Sequence, residues 1–325
     1  MWQPFYWMVN SLNLIDFHCD TIYKLRKNKN LSLHKNNLSV DLCKMEKAKS
    51  MAQFFALYIN LEETKEPLKE CLYMLDLFNK ELALNKNKIK LAKNYEELMA
   101  NFENGYISSF LTIEEGAAIE GSLINLKRLF SLGVRLMTLT WNFPNEIGFP
   151  SYNSIYMDRG LTHFGHDVVE EMNDLCMIID VSHLSDKGFY EVADISKKPF
   201  IASHSNSRAI TNSTRNLTDK MIKTISNKGG VMGINFEKSF LGLSPFGRVS
   251  EMIEHIKHIK NVGGIDVLSI GSDFDGIDQT TKGLDDCTCY PNITAKLFDR
   301  GFTKKEIRSI MGENMLRFMG KVLGN

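Results

Sequence analysis

The sequence predicts a (β/α)8 barrel, an α/β fold of the TIM type, and three observations carry that expectation. Eight short, nearly all-apolar runs recur along the chain, as parallel strands buried on both faces do. Helix-period stretches lie between most of them. Side chains of metal-ligand type stand at the ends of these runs, at His18, Asp20, Glu115, His183 and His204. In a closed parallel barrel all strand C-termini converge on one face, so residues this far apart can share a site.

The runs, in order, are Leu14–Phe17, Phe54–Ile59, Ile107–Ile113, Leu136–Leu139, Met177–Val181, Phe200–Ala202, Val231–Asn235 and Val267–Ile270. The second is ambiguous, because Met51–Ile59 is also compatible with a helix start. Leu68–Leu84 repeats Leu, Met and Phe at three- and four-residue steps, Val168–Leu175 follows Gly165, and Met252–Ile259 alternates apolar and charged positions at helical spacing. The Lys/Asn-rich stretch Lys24–Asn37 is expected to be a solvated loop. Thr303 ahead of Lys-Lys-Glu predicts a capped C-terminal helix. Met1 to Leu14 is expected to form a short N-terminal arm, since it lacks the Lys, Arg and cleavage pattern of a signal peptide. With no repeat, low-complexity tract or linker, residues 1–325 are expected to form one barrel domain.

Composition narrows the function. Lys+Arg and Asp+Glu are both 39, so no basic field draws in nucleic acid. No apolar stretch approaches the roughly 20 residues of a membrane helix. Six cysteines without a Cys-x-x-Cys pair predict a reducing, cytoplasmic setting rather than a disulfide framework. Cys287 and Cys289 read as loop residues without chemistry.

The strand ends carry the chemistry. His18 and Asp20 are two apart, so in extended backbone they point the same way while Cys19 packs into the core. Glu115 ends the third run and can bridge two ions through its two oxygens, with Glu114 expected to point away. His183 closes Met177-Ile-Ile-Asp-Val-Ser-His and His204 closes Phe200-Ile-Ala-Ser-His. Three imidazoles and two carboxylates suit zinc, and five ligands exceed what one open zinc takes, which predicts two ions with a bridging carboxylate and water. Asp273, after the eighth run, is the expected proton carrier, with Asp275 in the following turn. His163 and His166 read as an exposed helix entry, His255 and His258 as a solvated helix face, and His34 as part of the Lys/Asn loop.

Taken together, Ile15-Asp-Phe-His-Cys-Asp-Thr, Ile113-Glu-Glu-Gly, Gly160-Leu-Thr-His-Phe-Gly, Ile178-Ile-Asp-Val-Ser-His, Ile201-Ala-Ser-His-Ser, Thr214-Arg-Asn-Leu and Gly271-Ser-Asp-Phe-Asp-Gly resemble the membrane (renal) dipeptidase family of zinc metallopeptidases, in its soluble bacterial branch. The resemblance covers essentially the whole chain. It implies a barrel of the metal-dependent hydrolase type that cleaves dipeptides with two zinc ions. His18 and Asp20 would hold one ion, His183 and His204 the other, and Glu115 would bridge them. It further implies that Asp273 handles the proton and the substrate amine, that Arg215 grips the substrate carboxylate with its forked donors, and that the protein is a homodimer. Mammalian members carry a histidine after the fourth run, where this chain has Trp141-Asn142, so either Asn142 or the zinc polarises the scissile carbonyl or the substrate preference differs.

Four alternative readings bear on the same residues. Phosphotriesterase-like barrels need a bridging lysine, and no strand run here ends in one. Related deaminases begin with His-x-His rather than His-x-Asp. Another amide or lactam hydrolase stays open on the same scaffold, as does a non-catalytic metal-binding barrel, although the latter would need neither Asp273 nor Arg215.

Overall fold

The computed structural model describes residues 13–242, 248–277 and 280–324, so most of the expected N-terminal arm lies outside the described residues. Nine strands form one parallel sheet. They are β1 (Leu14–Cys19), β2 (Ser50–Tyr58), β3 (Ile89–Leu91), β4 (Ile107–Glu114), β5 (Val134–Thr138), β6 (Ile178–Asp180), β7 (Ile201–Ala202), β8 (Val231–Ile234) and β9 (Leu268–Ile270). The order β2-β1-β9-β8-β7-β6-β5-β4 closes on itself where β4 pairs with β2, giving an eight-strand (β/α)8 barrel.

The extra strand, β3, stands outside the ring. It pairs with the first residues of β4, Ile107 to Ser109, below the point where β5 takes up the same edge at Leu111. An isolated Ile-Lys-Leu between Lys/Asn-rich segments has no pattern long enough to mark it. The ambiguous second run is a strand, and it begins at Ser50, earlier than expected.

Alternation along the strands builds two cores. Ile15, Phe17, Phe54, Phe110, Leu136, Ile178, Ile201 and Val231 fill the barrel interior. Phe54 stacks on Phe110 with ring centroids 4.6 Å apart and meets Phe17 edge-on at 5.5 Å. Burying each such ring stabilises the fold by roughly 2–3 kcal/mol. Met315, Phe318 and Met319 of the helix Asn314–Val322 belong to the same cluster and close the end opposite the strand C-termini. The other strand face packs on the surrounding helices through residues such as Phe55, Leu111, Ile113 and Ile179.

Two glycines shape the rim. A Cβ on Gly233 would come within 1.9 Å of the Ser203 carbonyl oxygen, and one on Gly271 within 1.8 Å. Only glycine on β8 and after β9 lets the end of β7 sit this close, and that end carries His204.

The helices depart from expectation in places. Lys24 to Lys27 belong to the helix Thr21–Lys27 rather than to a loop. The expected cap at Thr303 is present as a full capping box. Cys287 and Cys289 form a short 3-10 turn buried in the core. His255 is the larger correction, because it is buried, not solvated. Its Nδ1 accepts from the Ser207 amide at 3.0 Å, and its Nε2 lies 2.9 Å from the Leu241 carbonyl. His258, one turn on, pairs with Asp219 at 2.7 Å at the surface. No described helix is long and apolar enough to cross a membrane.

Burial lowers the His255 pKa to about 4. The folded chain therefore binds fewer protons here than the unfolded chain, whose imidazole titrates near 6.5. The stability this group lends is complete above about pH 6.5 and lost as pH falls toward 4, amounting to about 3 kcal/mol. Urea midpoints of the chelator-treated protein should drop between pH 6.5 and 4.5, and His255→Gln should flatten that part of the slope. An unaltered slope in the variant would remove His255 as its cause.

Candidate metal centre

Strained backbone marks the rim. Positive φ values occur at His183 (67°), Asp273 (64°), Asp275 (67°) and Glu115 (99°), four strand-end residues without glycine's freedom. A register shift in β1 between Asp16 and Cys19 turns His18 toward the barrel mouth, while Cys19 stays in the outer core.

The site is built around Glu114. Its Oε2 lies 3.2 Å from His18 Nε2, and its Oε1 lies 3.1 Å from His183 Nε2 and 3.5 Å from His204 Nε2. His18 Nε2 is also 3.2 Å from Asp20 Oδ2 and 3.9 Å from Asp273 Oδ1. All four expected partners of the bridging carboxylate are thus gathered, but around the neighbouring residue.

Glu115 is not among them, and this corrects the sequence reading. Its Oε1 caps Ala117 N at 2.8 Å and accepts from Asn145, and its Oε2 accepts from Trp141 N at 3.1 Å. The reason is the two-residue period of β4. Phe110 faces the barrel interior, and Thr112 and Glu114 follow on the same side, whereas Leu111, Ile113 and Glu115 alternate outward. Glu115 holds the loop after β5 against the end of β4. Burial pushes its carboxyl up to about 7.

The hydrogen bonds assign the histidine tautomers. Asn142 Oδ1 sits 3.1 Å from His183 Nδ1, so that nitrogen carries the proton and Nε2 keeps its lone pair. Ser203 Oγ donates to Asp180 Oδ2 at 2.5 Å and so accepts from His204 Nδ1 at 2.7 Å, which leaves His204 Nε2 bare too. The two bare nitrogens are 2.9 Å apart and both face Glu114 Oε1. Three acceptors converge with no proton between them.

Electrostatics agree with a missing positive charge. Burial pushes Glu114 up to about 7 and Asp273 up to about 8, and holds His183 and His204 well below the usual imidazole range. His18 is the exception: burial opposes its charging, but Glu114 and Asp20 overcome this and raise it. His18 Nδ1 and Asp20 Oδ1 are buried without partners. Two overlapping triads, His18–Glu114–His204 and His18–Asp20–Asp273, have donor atoms within 4.8 Å of one another, close enough to hold an ion. The residues fit divalent metal, and a nitrogen-and-oxygen donor set is one zinc accepts.

Two further carboxylates, which sequence reasoning passed over, hold these ligands in place. Asp180 accepts from the backbone amides of Ser182 and Ser203, at 2.9 and 2.8 Å, and from the Thr138 hydroxyl at 2.7 Å. It therefore ties down the segments that carry His183 and His204. Asp16 does the same for His18 and Asp273, accepting from Ser272 N at 2.9 Å, Ser272 Oγ at 2.6 Å and Tyr290 Oη at 2.5 Å. An acid inside an otherwise apolar strand was the signal that could have found both.

A cavity of about 760 Å³ opens over the cluster, walled by Tyr58, Trp141, Asn142, Arg215 and Phe240 among others. Asp273 reaches it and accepts from Asn235 at 2.9 Å, whereas Asp275 is taken up by Thr21 Oγ1 at 2.6 Å and Ser39 N at 2.7 Å. Arg215 is buried, donates to the His204 carbonyl at 3.3 Å and has no partner for Nε, so it has donors to spare for a ligand. Burial lowers its pKa to about 10, which leaves it charged at neutral pH. Asn142 spends its oxygen on His183, and Trp141, in the place of the family histidine, packs edge-on against Tyr58 at 4.9 Å. His34, His163 and His166 take no part in the cluster.

Comparison with known proteins follows the same line. The family profile described as membrane dipeptidase (peptidase family M19) matches residues 6–324. An uncharacterized dipeptidase of Schizosaccharomyces pombe is 32% identical over 346 residues, covering 98% of this chain and 82% of that protein. Among crystal structures, the dipeptidase AC, a metallopeptidase of family M19, superposes with a TM-score of 0.90 at 26% identity, over 97% of this chain and 100% of that one. A metallopeptidase from Rhodobacter sphaeroides, liganded with a phosphinate mimic of the dipeptide L-Ala-D-Ala, gives 0.88 at 26% identity, over 96% and 99%. This chain belongs to the membrane dipeptidase family, M19, and is a peptide hydrolase of the metallo-dipeptidase class.

Proposed function

We propose that the chain hydrolyses dipeptides to free amino acids with two zinc ions, one of which His18 and Asp20 would hold and the other His183 and His204, with Glu114 shared between them. The observation that carries this is the convergence of His183 Nε2, His204 Nε2 and Glu114 Oε1 as bare acceptors, with the second Glu114 oxygen on His18. Zinc bound there would supply Lewis acidity toward the scissile carbonyl and lower the pKa of water toward neutrality.

The chain's own groups do the rest. Arg215 takes the substrate carboxylate on its spare donors, a charge-assisted contact made in a buried setting. Asp273 takes up the proton lost by attacking water and returns it to the departing amine. It reaches the cavity beside His18 and is oriented by Asn235 at 2.9 Å, which places it for both transfers. Asn142 keeps His183 in the tautomer that binds metal, so its first service is to the ligand rather than to the substrate. Gripping both ends of the substrate limits its length, because a longer peptide would leave Arg215 buried and unpaired. Six free cysteines support a reducing, cytoplasmic location.

Zinc-replete protein should release amino acids from a dipeptide panel, including dipeptides with a C-terminal D-residue, and chelation should abolish this until zinc is restored. Arg215→Met should raise KM about tenfold or more with zinc content unchanged. Asp273→Asn should retain both ions and lose about 10²–10⁴ in kcat. Protein that holds two zincs and cleaves no dipeptide would refute the reading.

A further inference from the structure

Three cations line the helix Thr21–Lys27, which begins directly after Asp20, and two of them are already matched. Arg26 is paired with Glu70, and Lys27 with Glu63. Lys24 has no carboxylate partner among the described residues. It is also the one of the three that lines the catalytic cavity, one helical turn beyond Asp20 and only partly exposed.

The cavity's own carboxylates do not supply the missing partner. Asp20 and Glu114 are committed to the histidines, Asp273 to Asn235 and Asp275 to Thr21 and Ser39. Glu237 caps the Ser239 amide at 3.1 Å. A partly exposed lysine that lines a ligand cavity and has no carboxylate partner of its own is placed for an anion that arrives with the substrate.

That anion is distinct from the substrate's main-chain carboxylate. Arg215 follows β7 and Lys24 follows β1, and around the rim β8 and β9 stand between them. The aromatic wall beside Lys24 is closed, with Tyr23 edge-on to Tyr58 at 4.9 Å and Tyr58 edge-on to Trp141 at 4.9 Å. A side chain lying along these rings would carry its own terminal charge to Lys24.

We infer that Lys24 is a specificity residue that makes this enzyme prefer dipeptides in which one residue is aspartate or glutamate. The inference rests on the dipeptidase reading above and adds the substrate class. It is tested on zinc-replete protein with Ala-Asp, Asp-Ala, Ala-Glu and Glu-Ala, each set against its amide isostere containing Asn or Gln. The ratio of kcat/KM, acid over amide, cancels general effects on turnover. Wild-type protein should favour the acid at one position by about tenfold or more, chiefly through KM. Lys24→Met should bring that ratio close to one, and Lys24→Arg should keep most of it. The inference is overturned if the wild-type protein shows no acid preference at either position, or if Lys24→Met retains it. Absence of cleavage for every dipeptide, Ala-Ala included, would instead overturn the dipeptidase reading on which it stands.

Discussion

Glu114→Gln is expected to strip the paired metal site and abolish turnover, while Glu115→Gln should bind metal and turn over substrate. The substitutions are one residue apart and chemically identical, so their contrast isolates geometry. At position 114 an amide presents one oxygen where two are required, and its NH2 meets either His18 Nε2 or the bare pair at His183 and His204. Loss of metal affinity should exceed the 10–100-fold that removal of an outer hydrogen-bond partner typically costs. At position 115 three donors converge, from Ala117, Trp141 and Asn145. A glutamine there turns its NH2 toward at least one of them, costing about 1–3 kcal/mol of stability with little change in metal content. Zinc content by atomic absorption and urea midpoints on both variants decide the matter. Two zincs retained in Glu114→Gln and lost in Glu115→Gln would return the bridging role to Glu115.

That contrast shows where the sequence was legible. The barrel could be read because most buried strands are runs of apolar residues long enough to notice, and six of the nine run at least three residues without interruption by charge. β3 escaped because it is three residues with a lysine at its centre. Glu114 escaped because both glutamates end the same run, and only alternation decides between them. The inward set Phe110, Thr112, Glu114 was available in the sequence, but it required knowing which face of β4 is interior. His255 was legible too, since it completes a Met252, His255, Ile259 stripe at helical spacing. The charged neighbours Glu254 and Lys257 concealed it.

Asp16 and Asp180 were hidden for a different reason. Asp16 lies inside β1 and Asp180 inside the apolar run Met177–Val181, so neither looks like a ligand, and their effect is exerted through the tautomer and position of residues that do. Asp180→Asn makes this testable without removing any candidate ligand. The Oδ1 side of Asp180 accepts two backbone amides, from Ser182 and Ser203, so the asparagine oxygen must occupy it and the NH2 must take the Oδ2 side. There it meets Ser203 Oγ and donates to it, which frees the Ser203 hydroxyl proton to point at His204 Nδ1. His204 then carries its own proton on Nε2, the atom that faces Glu114 and His183. The variant should fold, since every backbone amide keeps its partner, yet lose about 10–100-fold in metal affinity. Competition against a chromophoric chelator measures the affinity, and the 15N shifts of His204 report the tautomer. Wild-type affinity with His204 still protonated on Nδ1 would show that Asp180 secures the backbone alone.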